Sequence, residues 1–303
     1  MRFKAVVFFI VLLSLLVGMS FGCKAEFEPG TYTDDMGRGV VIDEVPQRIV
    51  CFGPSITEIA FALGLGELVV GVDDFSDYPE EAQALPKVGS SFAPSLESLV
   101  ALAPDLVLTL EHEQFNSELE AMGIKYLILD PKDIDNILTN IELVGAVTDS
   151  ADEAAALVES MEEVIADVEE RVAGAPPVSV FFIVDATDPT LPWTAGPGSF
   201  IDTLISLAGG ENVAGDAPYQ WPQFSIEEVV SADPDIIIVQ TMFGGIPTIS
   251  IEDLQAHPIW GEVSAVSQGR VYLIDGDLVS RSGPRIVGGL EALARVIHPE
   301  VFD

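Results

Sequence analysis

SADEAAALVESMEEVIADVEERVAG, residues 150–174, reads as one uninterrupted helix. Ser150 followed by Glu153 has the spacing of a capping box, in which a hydroxyl and a carboxylate satisfy N–H groups that the first turn leaves open. Asp152 and Glu153 lie where the helix dipole favours anions. Leu157, Val158, Met161, Val164, Ile165, Val168 and Val172 keep the i, i+3, i+4 rhythm of a single apolar stripe. Arg171 falls in the last turn, Gly174 suits a left-handed stop, and Pro176-Pro177 prevent continuation. At roughly 1.5 Å per residue such a helix spans about 33 Å, the width of a small domain. It sits near the middle of the chain, between halves that resemble each other, and is expected to be a rigid strut between two lobes.

The likeness of the halves is sharpest in SLESLVALAPDLVL (95–108) and SIEEVVSADPDIII (225–238), which align without a gap. Each runs from a Ser through a Glu and a short helix to Pro-Asp, then into a buried strand. A duplicated unit of this kind predicts two lobes of one design. Around it, short apolar strands alternate with helices, the pattern of mostly parallel sheets covered on both faces. In the first half, strands are expected at Arg48–Phe52, Leu68–Val72, Leu106–Leu110 and Tyr126–Leu129, preceded by a small hairpin (Thr31–Thr33 and Val40–Ile42). In the second, they are expected at Val178–Val184, Asn212-Val213, Ile236–Val239 and Val271–Ile274. Ser55 with Glu58 and Ser225 with Glu228 repeat the capping-box spacing. The fold class is therefore α/β, with two α/β lobes of mostly parallel sheets joined by one long rigid helix. Its expected divisions are a signal at 1–23, a first lobe at 24–148, the linking helix at 149–174 and a second lobe at 175–303.

The chain of 303 residues holds 13 Lys and Arg against 49 Asp and Glu, a net charge of -36. Nucleic acid and anionic membrane surfaces repel such a chain. Met1 to Cys23 has a basic start (Arg2, Lys4), an apolar core from Ala5 to Val17 and small residues at Gly18, Ser20 and Gly22. That is the plan of an export signal, and its apolar core is shorter than the ~20 residues a spanning helix needs. Gly22-Cys23 resembles a lipoprotein signal, which would make Cys23 the lipidated N-terminus, although Ser20 stands where that pattern usually has Leu, Val or Ala. Cys51, in an apolar strand, reads as an inert core thiol.

Several motifs together resemble the substrate-binding proteins of ABC importers for vitamin B12 and iron-siderophores. They are PQRIVCFGPSITEIAFALGLGELVVGV (46–72) with DDFSDYP after it, VGSSFAPSLESLVALAPDLVL (88–108), LAGGENV (207–213), WPQFSIEEVVSADPDIII (221–238) and RSGPRI (281–286). The resemblance implies two lobes joined by one long helix, a ligand in the cleft between them, and a permease dimer with ATPase subunits as partner. It implies a monomer on the outer face of the cell membrane. Trp221-Pro-Gln223 and Ser76–Pro79 resemble the vitamin B12-binding branch most. By that resemblance Trp221 would pack on the corrin ring, Asp277 and Arg281 would line the second-lobe wall, and Phe75 would be an aromatic contact. Ser91 and Leu110 depart from the branch, which has Trp at both places. The implied ligand is a corrinoid, with an iron-siderophore or haem as the alternative.

Corrins and haem present wide apolar faces, which aromatic walls suit. Phe75, Tyr78, Trp193, Tyr219, Trp221 and Phe243 all fall in expected loops at strand or helix ends, where open α/β sheets bind ligands. Glu97 and Glu227, matched in the two repeats, would by resemblance dock on Arg residues of the permease, and like charges on related lobes suit a two-fold partner. The three His (112, 257 and 298) have no ligand spacing, so no metal held by side chains and no cofactor is expected. A secreted α/β enzyme is the remote alternative; the chain has no G-x-S-x-G, Walker A or H-E-x-x-H motif.

Overall fold

The computed structural model describes residues 27–242 and 245–302. The export signal, Cys23 and Phe243 lie outside them. The first lobe opens with the expected hairpin, β1 (Gly30–Thr33) antiparallel to β2 (Gly39–Ile42). Then follow β3 (Ile49–Phe52), α1 (Pro54–Ala62), β4 (Val69–Val72), the two-residue strands β5 (Gly89–Ser90) and β6 (Ala93–Pro94), α2 (Leu96–Ala101), β7 (Leu106–Thr109), α3 (Glu113–Ala121), β8 (Tyr126–Ile128) and α4 (Ile134–Val147). The linking helix is α5 (Ala151–Val172). The second lobe continues with β9 (Val178–Asp185), β10 (Trp193–Thr194), α6 (Phe200–Leu207), β11 (Gly210–Asn212), α7 (Ile226–Ala232), β12 (Ile236–Met242), β13 (Ile246–Pro247), α8 (Ile251–Ala256), α9 (Ser264–Ser267), β14 (Val271–Asp275), α10 (Gly276–Ser280), α11 (Ile286–Ile297) and α12 (Pro299–Phe302).

The first-lobe sheet has the order β4-β3-β7-β8 and all its pairs are parallel. In the second lobe β11, β9, β12 and β14 pair in parallel, while β10 and β13 add antiparallel edges. β3 and β7 are buried along their whole length, as apolar runs covered on both faces must be.

α5 buries Ala154, Val158, Met161 and Val168 and packs on α4 from one lobe and α11 from the other. One hydrophobic cluster runs from Ile49 and Leu108 through these residues to Ile238 and Leu290. The strut is thus built into a core shared by both lobes. At its start the α4 backbone comes so close that a Cβ on Gly145 would meet Ala154 Cβ at 2.4 Å.

The capping box expected at Ser150 and Glu153 does not form. Asp149 is left-handed (φ 58), and the Ser150 amide donates to Gly145 O at 2.9 Å, which closes the end of α4. That duty sets Ser150 at φ -122, ψ 34, outside the extended region from which a side chain caps the next helix. Its hydroxyl lies against Thr148 Oγ1 instead, at 2.7 Å. The box expected at Ser55 and Glu58 also fails, because α1 starts at Pro54 and Glu58 points inward. The one at Ser225 and Glu228 is complete in both directions.

The repeat holds at the backbone level. Ser95 and Ser225 cap α2 and α7, and Ala103 and Asp233, each eight residues on, are both left-handed (φ 45 and 42). The following aspartates do the same work in each lobe. Asp105 accepts the Gln47 and Arg48 amides at 2.8 and 3.0 Å at the start of β3. Asp235 accepts the Ser179 amide at 2.9 Å in β9.

Candidate functional site

The carboxyl ends of the parallel strands carry the loops in which an open α/β sheet holds its ligand. In the first lobe these loops follow β4 and β7. Phe75, after β4, is half-buried and meets Phe92 edge-on, with ring centroids 6.5 Å apart. Phe92 is 89% exposed at the β5–β6 turn. That turn is pinned from both sides: the Asp74 amide donates to Gly89 O at 2.9 Å, and His112 Nε2 lies 2.8 Å from Ser91 O. Phe92 is not one of the sequence candidates, although Ser91 beside it is named as a departure from the branch. In the gapless register of the repeat Trp221 falls opposite Ser91 and not Phe92, so only the fold singles Phe92 out.

In the second lobe Trp193, Tyr219 and Trp221 converge. They line one open cavity of about 620 Å³ with Val213, Pro222 and Phe224. The strap that carries Tyr219 and Trp221 is held by backbone bonds, Gly196 N to Gln220 O at 2.7 Å and Thr194 N to Pro222 O at 3.0 Å. All three rings remain 43–70% exposed. Three large aromatic faces left open on a pinned loop form a surface that a ligand can cover.

Between the lobes lies an ion cluster that the local sequence does not announce. Glu58 of α1 is 3% exposed. Its Oε1 accepts from Arg285 Nη2 at 2.6 Å and Arg281 Nη1 at 3.2 Å, and its Oε2 accepts from Arg285 Nε at 2.9 Å. Arg281 Nη1 also donates to Asp77 Oδ1 at 2.7 Å, and Arg281 Nη2 pairs with Asp277 Oδ2 at 2.9 Å. Burial works against the Arg281 charge, but the hydrogen bond to Asp77 and the fields of three carboxylates outweigh it and raise its pKa. Burial raises the Asp277 pKa despite Arg281 beside it. Asp277 and Arg281, expected on the second-lobe wall, therefore stand together, and first-lobe carboxylates hold Arg281.

Tyr78 lies apart from Phe75. Its ring sits under the Arg285 guanidinium, 4.0 Å from the centroid, and borders a second cavity of about 770 Å³. That cavity is larger, but it runs along α1 past Phe61 and Ala62 to Gly64 and Gly66, away from the strand carboxyl ends. Glu97 and Glu227 are exposed at the second positions of α2 and α7, matched between the lobes as the repeat implied. His112 and His257 accept amides through Nδ1 at helix or turn starts, and His298 Nε2 lies 3.0 Å from Gly209 O. Among the described residues no group of three His, Cys, Asp or Glu is placed to hold a metal ion, and no helix is long and apolar enough to cross a membrane.

Residues 49–278 match the periplasmic binding protein family. The chain is 34% identical over 288 residues to the uncharacterized ABC transporter substrate-binding lipoprotein YvrC of Bacillus subtilis, covering 92% of this chain and 88% of that one. It is 32% identical over 247 residues to the vitamin B12-binding protein of Pectobacterium carotovorum, covering 80% and 85%. Among solved structures it resembles the periplasmic heme-binding protein RhuT from Roseiflexus sp. RS-1, with TM-score 0.75, 29% identity and coverage of 84% and 99%.

Proposed function

The chain belongs to the periplasmic binding protein family, as the substrate-binding protein of an ABC importer in the vitamin B12, siderophore and haem group, and within that group we propose that it captures a corrinoid. It is a binding protein and not an enzyme, and it works outside the cytoplasm with permease and ATPase components. The observation that carries the ligand reading is the convergence of Trp193, Tyr219 and Trp221 on one cavity. A flat ring of corrin size covers several such faces at once, at little conformational cost to side chains already fixed by their loop. The relatives named for vitamin B12 binding support the same class.

Trp221→Ala removes one aromatic face of that wall. Covering about 100 Å² of indole at ~25 cal/mol/Å² is worth about 2.5 kcal/mol, or roughly seventyfold in affinity. Titration calorimetry of the signal-free protein with cyanocobalamin and cobinamide should show one-to-one binding at micromolar or better, weakened by about that factor in the variant. An affinity change within about threefold would remove Trp221 from the site. Haem, the second reading, draws on the likeness to the haem-binding structure, and binding of haem with silent corrinoids would select it.

The anchor belongs to the same proposal. Cys23, the candidate lipidated residue, would hold the exported chain at the membrane face. Cys23→Ser is then expected to move the protein from the membrane fraction to the soluble one; retention on the membrane would count against lipidation.

A further inference from the structure

We propose that Asp77 is a specificity-determining residue that makes the cleft reject anionic ligands. This rests on the reading of the protein as a ring-ligand importer component. Asp77 follows β4 and Arg281 follows β14 and α10, so both stand at the carboxyl ends of the sheets, on opposite lobes. Asp77 Oδ1 reaches across to Arg281 Nη1 at 2.7 Å. The Asp77 side chain is 52% exposed and the Arg281 side chain 7%, so the carboxylate is the accessible half of the pair. A guanidinium on a cleft wall is the natural receptor for a carboxylate or catecholate edge, which it takes in a two-pronged grip. Here that receptor is already occupied. Two guanidiniums, Arg281 and Arg285, face three carboxylates, Glu58, Asp77 and Asp277. The cluster is therefore negative overall, and an incoming anion must displace Asp77 against that field.

The occupation is incomplete in a telling way. Arg281 Nη2 is buried and has no aligned hydrogen bond, although Asp277 lies within ion-pair distance. Withdrawing Asp77 would leave Nη1 short of one strong acceptor next to this unspent donor. The remaining hole is neutral in sum rather than negative, and it holds the donors that an anionic ligand edge requires. Neutral or cationic ring ligands ask nothing of Arg281 and meet no such barrier.

The test compares the wild-type protein with Asp77→Asn and Asp77→Glu, titrated with haem, whose two propionates supply the anion, and with cyanocobalamin, which is neutral overall. The expected result is a rise of about tenfold or more in the ratio of haem to cyanocobalamin affinity in Asp77→Asn, with Asp77→Glu returning toward wild type. Asp277→Asn, on the same guanidinium, should shift the ratio in the same direction. Cyanocobalamin binding with an unchanged ratio in both Asn variants overturns this inference and leaves the corrinoid reading intact. Haem gained by Asp77→Asn while cyanocobalamin is silent overturns the corrinoid reading alone. Haem binding by the wild type as tight as by Asp77→Asn overturns this inference, and silence of both ligands in every protein overturns both.

Discussion

Glu58→Ala is expected to destabilise the protein by about 3–5 kcal/mol, the cost of leaving buried charges without their partner. Glu58 is the shared acceptor of two guanidiniums from the other lobe, with three contacts between 2.6 and 3.2 Å. Its side chain is 2% exposed and that of Arg281 7%, while the Arg285 side chain is 24% exposed beside the cavity along α1. Without it Arg285 loses the carboxylate that holds it, while Arg281 keeps only Asp77 and Asp277. The loss is a large share of the about 5–15 kcal/mol that holds an ordinary domain together. Urea denaturation followed by circular dichroism reads it directly. Glu58→Gln keeps the volume and one acceptor oxygen and should cost less. A loss below about 1 kcal/mol for the Ala variant would show that the cluster behaves as a solvated surface pair, and the interlobe contact would then lose its structural role.

The double substitution Glu97→Ala with Glu227→Ala should reduce uptake through the permease by at least about tenfold while ligand affinity stays within about twofold. Both residues occupy the second position of a Ser-capped helix, one in each lobe, and both are exposed. Each gains a little from its own helix dipole, about 0.3–1 kcal/mol, which is too small to threaten folding. Their matched placement on related lobes fits a partner with two-fold symmetry better than it fits any need of the isolated chain. Cellular or vesicle uptake separates the two roles, since a purely dipolar Glu would leave transport untouched. Normal uptake by the double variant would overturn the docking assignment.

Much of the architecture was legible because its signals are local. The stripe of α5 needs only the period of a helix, and Ser225 with Glu228 closes its box within four residues. The duplicated Ser-to-Pro-Asp unit needs only the chain laid beside itself, and the matching left-handed Ala103 and Asp233 bear it out. Ser150 and Ser55 show where the same grammar misleads. Ser150 is used up in ending α4, and the Ser55–Glu58 spacing is an accident of a helix that starts at Pro54. Glu58 could not be recognised from its neighbours, because its partners lie 223 and 227 residues away. Phe92 carries no local signal for a related reason, as only its exposure and its contact with Phe75 distinguish it from an ordinary loop residue.

The sequence by itself determined the two-lobed α/β plan, the strut, the repeat, the candidate docking pair and the aromatic loops, since periodicity, capping and turn chemistry act over a few residues. Only the tertiary structure decided which of the aromatics share a cavity and which carboxylates hold Arg281. Those outcomes depend on how two lobes far apart in the chain are brought together by a common core, and no local pattern encodes that distance.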